Sequence, residues 1–148
     1  MRTRFAGWSE EEIANALEQL ERWRDRVLDG ARIDAGETVA DVGAGTGLLT
    51  LGAVERVGPD GDVLALDISV DALEELRRNT TAPNISYLIG RADILPLPDE
   101  SVDAAVSRPD RYALPMVTPI AIQIAANAAI PTSPPVAMVS RYWLCVRS

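Results

Sequence analysis

The chain has 148 residues, 47% hydrophobic and 24% charged, a mix that fits one soluble globular core over 1–148. Its 22 acids and 14 bases leave a net charge of −8, which argues against nucleic-acid partners, because phosphate grooves need clustered Lys and Arg. With no histidine and one cysteine, Cys145, neither a Ser-His-Asp triad nor an internal disulfide can be built, and no metal site is expected.

Residues 1–8 lack the apolar core of a secretory signal, so the chain is expected to be cytoplasmic. Phe5 and Trp8 are candidates for a lid over a ligand, or simply for a hydrophobic staple at a helix start. A leading helix is expected over 9–29: Ser9 and Glu12 have capping-box spacing, and Ile13, Leu17, Leu20, Trp23, Val27 and Leu28 form one apolar stripe ended by Gly30. Its face with Glu18, Glu21, Arg22 and Asp25 reads as solvated.

Val39, Ala40 and Val42 then form a short strand buried on both faces, within 38–42. It runs into the loop Gly43-Ala44-Gly45-Thr46-Gly47 and a helix over Thr46 to Val57. Such glycines let the backbone turn sharply and a ligand approach the main chain, and free N–H groups at the helix start favour an anionic group. The spacing is GxGxG rather than the GxGxxG of dinucleotide folds, and Asp41 stands two residues ahead of the first glycine. An acid there repels a pyrophosphate and attracts an amine or sulfonium. A nicotinamide-dependent oxidoreductase is therefore disfavoured.

The turn 58–61 introduces a second buried strand over 62–67, which ends in Asp67. At the carboxyl end of a strand beside the glycine loop, this acid is placed to accept hydrogen bonds from both hydroxyls of a ribose. Its other reading is a turn or N-cap acid before the helix Val70 to Asn79, where Ser69 is an equal candidate for the cap. A third strand over 85–89 leads into Gly90-Arg91-Ala92-Asp93, and a fourth, over 102–106, follows a Pro-containing loop.

Four segments in this order, DVGAGTGLLT at 41–50, VLALDIS at 63–69, GRAD at 90–93 and LPLPDESVDAAVSR at 95–108, resemble class I S-adenosylmethionine-dependent methyltransferases. The small-molecule branch that includes ubiquinone and menaquinone biosynthesis enzymes is the nearest in look, over roughly residues 25–108. The resemblance implies a Rossmann-like α/β fold: an open, mostly parallel sheet with helices on both faces, here C-terminally shortened. It implies S-adenosylmethionine as cofactor and a small-molecule methyl acceptor. Asp41 and the backbone of Gly43, Ala44, Gly45 and Gly47 would hold the methionyl part. Asp67 would take the ribose, Ile68 the adenine face, Asp93 the adenine amino group, and Ala92 and Ile94 the ring. Ser107 would sit near the methionine end. Bland alternatives are core packing for Ile68, a turn cap for Asp93 and a surface hydroxyl for Ser107.

The cofactor core is thus expected over 38–108, followed by an atypical tail over 109–148 in which the resemblance fails. Asp110 and Tyr112 are weak candidates for a base, and the catalytic residues are unassigned. The apolar run from Met116 to Ile130 is interrupted by Pro119, Gln123 and Asn127 and falls short of the ~20 residues that span a bilayer, so no membrane partner is expected. Ile120 to Ile130 has the look of a crossover helix and 136–144 of a fifth strand. Without the family's closing hairpin the sheet would keep an exposed edge that a homodimer would cover. The alternative function is a noncatalytic or truncated cofactor-binding protein, the tail being foreign to the fold.

Overall fold

A computed structural model describes residues 6–92, 94–98 and 101–107 and the backbone of 144–147. The apolar runs form strands where expected: β1 is Thr38–Val42, β2 Asp62–Asp67 and β3 Ile85–Ile89. The fourth strand, β4, is Ala104–Ser107, shifted from 102–106 because Val102 turns into a core cluster ahead of the ladder. These four are parallel, and β5, Leu144–Arg147, runs antiparallel along the outer side of β4, giving the order β3-β2-β1-β4-β5. β4 is therefore paired on both sides, and β5 forms the edge of the sheet among the described residues. The rest of the expected fifth strand, and the helix over Ile120 to Ile130, lie outside the described residues.

β1 is flanked by β2 on one side and β4 on the other. The chain builds outward from β1 to β3 and then crosses back, so the connections part above the carboxyl end of β1 and leave a crevice there.

Helix α1, Glu10–Ala31, opens with the reciprocal cap: the Ser9 hydroxyl accepts from the Glu12 N–H at 3.2 Å, and the Glu12 carboxylate accepts from the Ser9 N–H at 2.7 Å. It runs through Gly30, where an end was expected, because Ala31 is fully buried and holds the last turn on the core. Arg32, with φ of 50°, ends it instead. Helix α2, Leu48–Val57, starts two residues later than expected, since Gly47 at φ 98° is its N-cap. Helix α3, Val70–Arg78, is capped by Ser69, whose hydroxyl accepts from the Ala72 N–H.

Register pairs place Val39, Val63 and Ala104 on one face of the sheet. There they pack with Val27, Leu28 and Ala31 of α1 and Leu49, Ala53 and Val57 of α2. Leu73 and Leu76 of α3 join Ala65 and Ile85 on the same face. The opposite face, Ala40, Val42, Leu66 and Ala105, is covered among the described residues by Leu95, Leu97 and Val102 of the loop before β4. Covering both faces is what lets parallel strands be apolar throughout.

Candidate functional site

The glycine loop lies at the carboxyl end of β1. Gly43, Gly45 and Gly47 have φ of 78°, 55° and 98°, in the left-handed region that side chains disfavour. A Cβ on Gly43 or Gly45 would meet nothing within 4 Å, whereas one on Gly47 would lie 2.2 Å from Leu76 Cδ1. The first two glycines leave open space, and the third makes room for α3. Within the loop the N–H groups are mostly engaged: those of Gly43 and Ala44 donate to the Leu66 carbonyl, that of Gly47 to Ala44, and that of Gly45 to Asp67 Oδ2 at 2.7 Å. With these loop donors turned inward, Gly43 and Gly45 contribute open space beside the backbone.

At the end of β2, Asp67 receives a second N–H, from Ser69 to Oδ1 at 2.8 Å. It therefore ties the glycine loop to the start of α3 and is not the helix cap. An ionised carboxylate has about four acceptor positions, so each oxygen can still receive a ribose hydroxyl. Asp67 borders a cavity of about 350 Å³ with Val42, Gly43, Leu66, Ile68, Gly90, Arg91 and Ala92. Ile68 is 69% exposed, which removes it from the core and leaves an apolar surface at the cavity mouth. Ile94 is as exposed but does not border this cavity.

A second cavity, of about 90 Å³, lies against Asp41, Gly43, Ala44, Gly45, Thr46, Leu48 and Leu49. Gly43 borders both. Asp41 is 1% exposed, and Thr50 on α2 donates to its Oδ2 at 2.6 Å. Burial above all pushes the carboxyl up, the Thr50 hydroxyl and then its backbone N–H pull it down, and the charge of Asp67 adds a small upward push, leaving it at about 7. Thr50 was not among the expected site residues. Its signal was a hydroxyl on the buried stripe of a helix packed over a strand that carries an acid.

Ser107 is buried rather than on the surface, and its hydroxyl donates to the Val42 carbonyl at 2.8 Å, joining β4 to β1 at the crevice. Asp93, Phe5, Asp110 and Tyr112 lie outside the described residues, as does the side chain of Cys145. Among the described residues no group of three or more acids, histidines or cysteines is gathered to hold a metal.

A family model described as a methyltransferase domain matches residues 39–127. The chain belongs to this family. The methyltransferase match extends past Arg108, where the motifs end. Over 89 residues the domain is 38% identical to the demethylmenaquinone methyltransferase of Symbiobacterium thermophilum, covering 57% of this chain and 36% of that protein. The chain thus spans little more than a third of that relative. Among solved structures, phosphoethanolamine N-methyltransferase 1 of Haemonchus contortus, in complex with phosphoethanolamine and S-adenosylhomocysteine, is 32% identical, with a TM-score of 0.53 over 64% of this chain and 19% of that one. A SAM dependent methyltransferase from Aquifex aeolicus, 20% identical, shares the fold at a TM-score of 0.53 over 83% of this chain and 87% of that chain. The resemblance to class I methyltransferases and to the ubiquinone and menaquinone enzymes is borne out.

Proposed function

We propose that this methyltransferase domain transfers a methyl group from S-adenosylmethionine to a small-molecule acceptor. The observation that carries the reading is the pair of cavities that share Gly43 in their lining, one edged by Asp67 and the other by Asp41. A ligand with a ribose at one end and a cation at the other fits both. The likeness to a structure solved with S-adenosylhomocysteine and to a quinone-pathway methyltransferase supports the same ligand and acceptor class.

In this reading Asp67 accepts from the ribose hydroxyls while its Gly45 and Ser69 contacts keep it oriented. Ile68 and Ala92 lie against the adenine, with Asp93 beside them. Gly43, Ala44 and Gly45 admit the chain of the methionyl part, and Asp41 faces its ammonium. Gly47 acts indirectly, by seating α2 against α3. Ser107 holds the β1 and β4 ends together, so its contribution near the methionine end is the shape of the floor. The cofactor supplies an electrophilic methyl group when bound, and holding the acceptor in line with it can account for roughly 7–11 kcal/mol of barrier reduction. An acidic acceptor needs no protein base.

We read residues 1–148 as one methyltransferase domain that works in the cytoplasm, with the acceptor as its partner. No described helix is long and apolar enough to cross a membrane, and the net charge of −8 disfavours nucleic acid. A homodimer through a sheet edge is tested by light scattering, where a monomer at high concentration overturns it.

Calorimetric titration with S-adenosylmethionine and S-adenosylhomocysteine tests the cofactor. Micromolar binding, lost in Asp67→Ala, is expected, and absence of binding by the folded protein overturns the reading. Turnover on a panel of phenols, quinols and amines then separates an enzyme from a binding module.

A further inference from the structure

Asp41 lies in the middle of the sheet with apolar register partners, Ala65 and Val106, on either side. The Thr50 hydroxyl donates to Oδ2 and the Thr50 backbone N–H adds a further stabilisation of the carboxylate, yet Oδ1 makes no full hydrogen bond among the described residues. The charged group that acts on it from the neighbouring elements is a like charge, Asp67, itself already stabilised by two backbone N–H groups. A buried carboxylate with an unpaired oxygen beside a second carboxylate is unfavourable. Two things relieve it: a proton on Oδ1, or a cation delivered to it.

We propose that Asp41 and Thr50 form a proton-exchanging seat for the cationic end of the ligand: Oδ1 carries a proton until an ammonium group arrives, and Thr50 is the positioning residue that holds Oδ2 away from the exchange. In the exchange the Oδ1–H bond breaks, its electron pair stays on the carboxylate, the proton leaves to solvent, and an ammonium N–H donates to Oδ1 in its place. One proton is released per ligand bound. The inference rests on the S-adenosylmethionine reading above, whose methionyl end brings the ammonium. Burial places the exchange in the neutral range, at about 7 in the ligand-free protein.

Carboxyl carbon NMR of the ligand-free protein reads Asp41 directly. A midpoint near neutrality, absent from Asp41→Asn, is expected, and a midpoint in the ordinary carboxylate range overturns the inference while leaving the cofactor reading intact. Titration of S-adenosylhomocysteine in buffers of different ionisation enthalpy should release about one proton per ligand below neutrality and almost none well above it, with affinity rising about tenfold per pH unit below the midpoint. 5′-Methylthioadenosine, which has the nucleoside but no ammonium, should bind without release. Release with it, or binding of S-adenosylhomocysteine without release, overturns the seat. Failure of S-adenosylhomocysteine to bind overturns the cofactor reading as well. In Thr50→Val the loss of a hydrogen bond that favours the ionised form should move the affinity midpoint to higher pH, and Thr50→Ser should restore it. Uniform weakening with an unchanged midpoint would make Thr50 merely structural.

Discussion

The two cavities share Gly43 in their lining, yet they are prepared for a ligand in opposite ways. Around Asp67 each carboxylate oxygen already accepts a backbone N–H, and the side chain is only partly buried, so it is oriented before anything binds. Around Asp41 burial is nearly complete and one oxygen is left unpaired. The first arrangement costs the fold nothing and orients a ligand; the second weakens the fold until a partner comes. An acid at the end of a strand can therefore be a fixed anchor or a stored demand, and its burial and the pairing of each oxygen decide which.

The largest effect that would sharpen this contrast is Asp67→Ala. It removes the acceptor of two charge-assisted hydrogen bonds, each of about 1.5–3 kcal/mol, together with the ribose contacts, so affinity for S-adenosylmethionine should fall by roughly two orders of magnitude or more in calorimetry. Asp41→Asn should act on stability instead, and with pH. Since the folded carboxyl titrates at about 7 against 3.8 in the unfolded chain, the folded state binds more protons between those values, and the wild type loses stability as pH rises through them. The amide does not titrate. Its stability advantage in urea melts should grow from nothing at about pH 4 toward at most about 4 kcal/mol at neutrality and above. An advantage that does not change with pH would break the comparison.

Smaller effects separate the glycines. Gly47→Ala combines a left-handed backbone with overpacking against Leu76, so it should lower stability by about 2–4 kcal/mol in denaturant melts. Gly45→Ala points into open space and should cost the fold about 1 kcal/mol while weakening the ligand more. Smallest of all, Ile68→Ala should leave stability within about 0.5 kcal/mol and weaken nucleoside binding by about 1 kcal/mol, as befits an exposed apolar contact. A loss of stability there would return Ile68 to the core.

The strands and helices up to β4 were legible because burial on both sheet faces leaves continuous apolar runs, and because Ser9, Ser69 and the glycines mark the breaks by local chemistry. Which residues form the cofactor crevice was legible too, since Asp41 and Asp67 are acids at strand ends next to a glycine turn. What each acid does there was not. The engagement of Asp67 depends on the Gly45 N–H, twenty-two residues away, and the isolation of Asp41 depends on α2 burying it. Likewise Ser107 reads as a surface hydroxyl until β4 is set beside β1 and the Val42 carbonyl comes within reach. The end of α1 was misplaced at Gly30 because the burial of Ala31, a tertiary effect, outweighs the weak helix propensity of glycine.

The central place of β1 has a kinetic consequence. Residues 38–92 hold three neighbouring strands and the two helices that link them, joined by short crossovers, and every described residue that borders the larger cavity lies among them. β4 reaches the free side of β1 only after the chain has passed them. A growing polypeptide can thus shape the nucleoside half of the crevice first, with one flank of β1 still unpaired, and the arrival of Ala104–Ser107 is the step that closes that flank and locks the earlier pairings in place.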